Sequence, residues 1–149
     1  MEKIAIVYAS RHQGNTRRLV EKISEKLNVV LIDAQTIPEA DLSEFEVIGF
    51  ASGIDFGKFY DPVADFLKGN LPENKKVFFL YTCARANPGF TKSIHEEAAK
   101  KNAVILGVYG CRGYNTYGPW KLIGGMNKNH PDENEIRDAI RFVASLSSE

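Results

Sequence analysis

A chain of 149 residues with 44% hydrophobic side chains is long enough to bury one core without disulfides or structural metals, so a single domain over residues 1–149 is expected. Its 19 basic and 19 acidic side chains cancel, which leaves no field to draw in nucleic acid or an anionic membrane. No apolar run approaches the roughly 18 residues of a membrane span, Met1-Glu2-Lys3 opens no signal peptide, and two cysteines make neither a disulfide framework nor a zinc site, so a cytoplasmic protein with reduced thiols is expected.

The first element, Ile4 to Tyr8, is an apolar, β-branched run without alternation, as a strand buried on both faces requires. A polar loop follows, and then a helix with Leu19, Ile23 and Leu27 on one stripe. Val29 to Ile32 reads as the second strand. Between Val30 and Phe45, Ile37-Pro38 interrupts and Asp41-Leu42-Ser43 offers only a turn of helix, so this crossover is expected to be irregular. Val47 to Ala51 reads as the third strand, followed by a helix carrying Val63, Phe66 and Leu67. Val77 to Tyr81 is the fourth strand, Ile94 to Lys101 an Ala/Glu/Lys-rich helix, and Val104 to Tyr109 the fifth strand. From Cys111 to Pro131 the chain is rich in glycine, holds the only tryptophan, Trp120, and is too long for an ordinary connection. Pro131-Asp132-Glu133 reads as a helix start, and Ile136, Ala139, Ile140 and Val143 share a face of the last helix, Glu135 to Leu146. Strand and helix alternate, and right-handed crossovers make this an open, doubly wound α/β sheet with helices on both faces.

The segment between the first strand and first helix is Ser10-Arg11-His12-Gln13-Gly14-Asn15-Thr16. A strand feeding a polar loop and then a helix N-terminus gathers backbone N–H groups and the positive end of the helix dipole, which makes an anion site. Ser10, Asn15 and Thr16 add neutral donors, and Gly14 admits a phosphate close to the backbone. A purely structural reading, in which Asn15 or Thr16 caps the helix, stands beside it. Three other phosphate loops fail on named residues: no G-x-x-x-x-G-K-[ST] run is present, the loop holds one glycine where a dinucleotide fingerprint needs three, and Ser10 stands where a phosphatase loop would place its cysteine.

The run Y-A-S-R-H-Q-G-N-T between strand and helix resembles the phosphate loop of flavodoxins, in a slightly longer form with His12 and Gln13 in its middle. The resemblance extends over essentially the whole chain. It implies a five-stranded parallel sheet of order 2-1-3-4-5 and FMN at the carboxyl ends of strands one, three and four. The phosphate would be held by the loop from Ser10 to Thr16.

By the same resemblance, Ser52-Gly53-Ile54-Asp55-Phe56-Gly57 is the first ring-binding loop and Thr82-Cys83-Ala84-Arg85 the second. Phe56, Phe59 or Tyr60 has the face to stack on an isoalloxazine, with Phe56 favoured because Phe59 and Tyr60 also suit the apolar face of the next helix. Thr82 and the backbone of Cys83 and Ala84 suit the pyrimidine edge. Arg85 departs from the acidic surroundings of many electron-carrying flavodoxins. Near the ring its charge would stabilise the reduced anion and raise the potential; the alternative is a solvated or helix-capping arginine.

The loop from Cys111 to Met126 leaves the fifth strand at the ligand-binding edge, and C-R-G-Y-N-T-Y-G-P-W-K-L-I-G-G resembles a subgroup of uncharacterised bacterial flavodoxin-family proteins. Cys83 and Cys111 end neighbouring strands and so approach one another, although neither sits in a C-x-x-C turn. His130 reads as a turn residue, since the sequence gives it no partner.

These features imply an FMN-binding electron carrier that exchanges electrons with a reductase and an acceptor protein, with no side chain acting as catalyst. The zero net charge argues against such a carrier, because electron-carrying flavodoxins are acidic and dock on basic partners. A small FMN-dependent NAD(P)H or quinone oxidoreductase is the alternative. A cofactor-free interaction module on the same fold is the third reading.

Overall fold

The structure, a computed structural model, describes residues 3–11, 14–85, 87–112 and 130–146. In chain order these form β1 (Ile4–Ala9), α1 (Asn15–Lys26), β2 (Val29–Asp33), β3 (Val47–Asp55), β4 (Lys58–Phe59), α2 (Asp61–Asn70) and β5 (Lys76–Cys83). A short 3-10 turn (Pro88–Thr91), α3 (Lys92–Ala99), β6 (Val104–Arg112) and α4 (Glu133–Leu146) complete the order.

The long strands pair in parallel in the order β2-β1-β3-β5-β6, and the two-residue β4 pairs antiparallel with β3. Counting long strands only, this is the expected order 2-1-3-4-5.

Strand periodicity divides the core in two. Ala5, Val7 and Ala9 of β1 face one way, with Ile48, Phe50 and Phe79, and pack under Val63, Phe66 and Leu67 of α2 and Ile94 and Ala98 of α3. Ile4, Ile6 and Tyr8 face the other way and meet Leu19, Val20 and Ile23 of α1 and Ala139 and Val143 of α4. Burial on both faces explains why β1 and most of β3 and β5 are unbroken apolar runs. Each large side chain sealed in either layer contributes roughly 1.5–3 kcal/mol of transfer free energy, so the two layers hold the sheet edge rigid.

The crossover after β2 is irregular, as expected: no helix or strand lies between Ala34 and Glu46. It is held by buried Leu42 and Phe45 and by Lys75, whose Nζ donates to Ser43 O at 2.8 Å and Phe45 O at 2.7 Å.

The sequence places the end of the third strand too early. Ser52 and Gly53 continue the ladder against Tyr81 and Thr82 of β5, and Ile54 and Asp55 then pair with Phe59 and Lys58 of β4. The expected loop is therefore the end of a strand plus a tight hairpin. Its two turn residues, Phe56 at φ 53 and Gly57 at φ 76, are both left-handed, which matches the twist of the flanking strands. β5 and β6 likewise run on to Cys83 and Arg112. α3 begins earlier than expected and ends at Ala99, and α1 ends at Lys26.

Candidate functional site

Ala9, Ser52, Tyr81 and Gly110 stand abreast near the carboxyl ends of β1, β3, β5 and β6, the edge where open α/β sheets take their ligands. Four segments meet there: the loop between β1 and α1, the β3–β4 hairpin, the end of β5, and the end of β6 with the residues from His130 that begin α4.

In the first segment, His12 and Gln13 lie outside the described residues. Gly14 precedes α1 with φ 71 and no side-chain cap, and open space surrounds the position a Cβ would take. Neither Asn15 nor Thr16 is the cap, because both are already helical. A different residue takes that role: Ser10 Oγ, seven positions upstream, accepts from Arg17 N–H at 3.1 Å. Its own N–H donates to Gln35 Oε1 at 3.3 Å, a contact from the irregular crossover with no signal in the sequence. The first turn of α1 holds Arg17 and Arg18 and no acid. Arg17 reaches Asp33 at 3.3 Å, and Arg18 donates to the Pro131 carbonyl. Cations at the positive end of a helix dipole are unfavourable by some tenths of a kcal/mol each, and an anion bound there offsets them.

Two side-chain contacts tie this segment to the two expected ring loops. Thr16 Oγ1 and Thr82 Oγ1 share a buried hydrogen bond of 3.0 Å, joining α1 to the end of β5. Arg11 Nη1 pairs with Asp55 Oδ2 at 3.1 Å, joining the loop to the hairpin. The Arg11 guanidinium also lies 4.1 Å from the centre of the Tyr60 ring.

Within the hairpin segment, Ser52 is fully buried. Its hydroxyl donates to Gly53 O at 2.6 Å and accepts from Tyr60 N–H at 2.8 Å. A Cβ on Gly53 would lie 2.3 Å from the Tyr60 hydroxyl oxygen, so only glycine admits this ring. Burial raises the pKa of Tyr60, with Arg11 opposing and Asp55 assisting. Phe59 is a core residue set edge-on against Phe79 and Tyr81, which removes it as a stacking candidate. Phe56 is 95% exposed at the hairpin tip, free to cover a planar ligand. Ile54 and Asp55 are half-buried and Gly57 is exposed.

At the end of β5, Thr82 is buried, Cys83 and Ala84 are half-buried and Arg85 is exposed. Cys83 and Cys111 lie diagonally across the β5–β6 ladder, where Thr82 pairs with Cys111 and Cys83 with Arg112, and the Cys83 thiol donates to Cys111 O at 3.6 Å. They are free thiols. Burial pushes Cys83 up to about 11 and Cys111 to about 12, with Glu135 raising both further. A thiol held protonated is a weaker nucleophile than a free one.

The expected loop from Cys111 to Met126 lies, from residue 113 onward, outside the described residues. At its far end, Asp132 and Glu135 form a reciprocal cap of α4: Glu135 N–H donates to Asp132 Oδ1 at 2.8 Å, and Asp132 N–H to Glu135 Oε1 at 3.0 Å. His130 has the partner that the sequence hid, since its Nδ1 meets Glu135. Arg112 N–H and Nε also reach Glu135 Oε2, at 3.1 and 3.4 Å. Burial would raise the Glu135 pKa, but the hydrogen bonds from Asp132, His130 and Arg112 outweigh it and hold the carboxyl low. His130, Asp132 and Glu135 bring donor atoms within 4.8 Å of one another, but their bonds are those of a helix cap. A groove of about 550 Å³ between α1 and α4, floored by Leu27, Ile136 and Ile140, flanks the far half of α1 and supplies no reactive group to the site.

No helix among the described residues is long and apolar enough to cross a membrane. A family model described as the flavodoxin domain matches residues 5–120. An uncharacterized protein of Methanocaldococcus jannaschii is 36% identical over 146 residues, which is 97% of each chain. Oxidised flavodoxin 1 from Bacillus cereus superposes with a TM-score of 0.67 at 18% identity, covering 97% of this chain and 96% of its own. A flavoprotein from Lactobacillus acidophilus, solved in complex with FMN, gives a TM-score of 0.58 at 19% identity, over 74% of this chain and 93% of its own.

Proposed function

Because this chain belongs to the flavodoxin domain family, we propose that it is an FMN-binding protein that carries electrons between a reductase and an acceptor protein. The observation that carries the reading is the meeting of three segments at one sheet edge, with Arg11–Asp55 and Thr16–Thr82 bonds joining the loop suited to a phosphate to the two suited to a ring. The residues fit the cofactor. Gly14 opens onto free space at a helix N-terminus whose first turn is cationic, which suits a phosphate dianion. In this reading the loop from Ser10 to Thr16 holds the phosphate through its backbone, the Ser10 and Thr16 hydroxyls and the helix N-terminus; Ser52 to Gly57 and Thr82 to Arg85 hold the ring. Phe56 covers its face.

FMN supplies reversible electron transfer at its ring when bound. The chain's part is to fix the ring and set its potential. Arg85, exposed and without a side-chain partner among the described residues, is the cation available to favour the reduced anion. The cysteines and the His130–Glu135 pair take no part.

One observation favours a second reading, a small NAD(P)H- or quinone-dependent oxidoreductase. With 19 charges of each sign, the chain lacks the net negative charge that steers a carrier to basic partners.

The test is anaerobic mixing of the FMN-loaded protein with NADH or NADPH in a stopped-flow spectrophotometer. Slow or absent bleaching, with rapid reduction once a flavodoxin reductase is added, supports the carrier. Rapid direct bleaching supports the oxidoreductase. A purified protein that is colourless and takes up no FMN overturns both and leaves an interaction module.

A further inference from the structure

Arg11 sits in the loop suited to phosphate, yet its guanidinium is directed elsewhere. Its Nη1 bonds to Asp55 at 3.1 Å and its plane covers the Tyr60 ring at 4.1 Å. Both partners belong to the hairpin. Asp55 is the last residue of β3, paired with Lys58 across the turn and directly followed by Phe56. Tyr60 is anchored at the hairpin base by its N–H bond to Ser52 Oγ and by the contact of its ring with Gly53. Arg11 therefore grips the hairpin at two points, one near its tip and one at its root. A guanidinium suits this task because it is flat enough to stack on an aromatic face while its edge donates to a carboxylate.

The base of the hairpin is seated in the core through Phe59 and Ile54, but its tip has few other holds. Beyond Gly53 its strands pair only with each other, through Ile54 with Phe59 and Asp55 with Lys58, and its tip is exposed. Without the Arg11 contacts, the orientation of the tip and Phe56 would rest on this two-pair ladder and on Phe59 and Ile54 packed below it.

We propose that Arg11 is a positioning residue that clamps the Phe56 hairpin to the phosphate loop, so that the affinity for the flavin ring depends on a residue of the loop that holds the other end of the ligand. The inference rests on the flavin reading and assigns Arg11 a role at the ring end. With its guanidinium engaged by Asp55 and Tyr60, Arg11 leaves direct phosphate recognition to the backbone and helix terminus.

The two roles separate with riboflavin, which carries the ring but no phosphate. Dissociation constants for riboflavin and FMN are measured by fluorescence quenching on the full-length apoprotein, for the wild type, Arg11→Gln, Asp55→Asn and the double variant. A clamp worth one half-exposed ion pair and one cation–π contact predicts that Arg11→Gln weakens riboflavin binding by about fivefold. Asp55→Asn weakens it by about threefold, and the double variant is no weaker than Arg11→Gln alone. Arg11→Lys, which keeps the charge but not the flat face, falls between wild type and Arg11→Gln. Unchanged riboflavin affinity in Arg11→Gln with weakened FMN binding would make Arg11 a phosphate ligand and overturn the clamp. So would tighter flavin binding in Asp55→Asn, or effects that simply add in the double variant. A wild-type protein that binds neither flavin is a different failure and sinks the flavin reading itself.

Discussion

Cys83 and Cys111 illustrate how far burial alone changes a residue's chemistry. Raising Cys83 from 9.0 to about 11 lowers its thiolate population near neutral pH about a hundredfold, because each pH unit is a factor of ten. Ellman's reagent at about pH 8 should therefore label the folded protein at least tenfold more slowly than the urea-unfolded chain, and equal rates would contradict the burial. The same shift has a sign in stability. A group that binds its proton more tightly when folded stabilises the fold below the ordinary thiol value, and that contribution is lost as the pH climbs through the raised values. Glu135 has the opposite sign: its lowered pKa stabilises the fold above the ordinary carboxylate range and fails as the pH drops through it. Replacing Glu135 with Gln should cost about 1 kcal/mol in urea unfolding, the usual worth of a capping interaction.

At the scale of the element, the β3–β4 hairpin contains a conflict. A two-residue turn of this kind favours Asn-Gly, yet Phe56 occupies its first position at φ 53 with its ring 95% exposed. A bulky side chain in the left-handed region costs on the order of 1 kcal/mol and gains nothing from burial here. Strain held at an exposed aromatic is intelligible if the ring covers a ligand. Phe56→Asn should thus raise the unfolding free energy by about 0.5–1 kcal/mol while weakening flavin binding. A variant that is more stable and binds flavin unchanged would remove Phe56 from the site. The hairpin was only half legible in the sequence: Ser52 to Gly57 read as a loop, but a strand of two residues is too short to carry a period, so Phe59 also suited the apolar face of the next helix.

Across the whole molecule, charge is the property with a functional consequence. Equal numbers of acidic and basic side chains, 19 of each, give no net field to steer association. If the protein is an electron carrier, its second-order rate with an acceptor should change by less than about threefold between low and high salt. A steep fall with ionic strength would reveal a local charged patch. What the sequence by itself determined is the α/β order, both helix layers, the polar loop between β1 and α1 and the irregular second crossover, because each is a local pattern of period, turn residue or spacing. Only the tertiary structure decided that Arg11 meets Asp55, 44 residues away, that Thr16 meets Thr82, 66 residues away, and that Ser10 caps α1. It also decided that Phe59 is core, Cys111 buried and Cys83 half-buried. The physical reason is the same in each case: partner, burial and local dielectric belong to the packed edge of the sheet, where segments distant in the chain are brought within a few ångströms, and no local pattern encodes them.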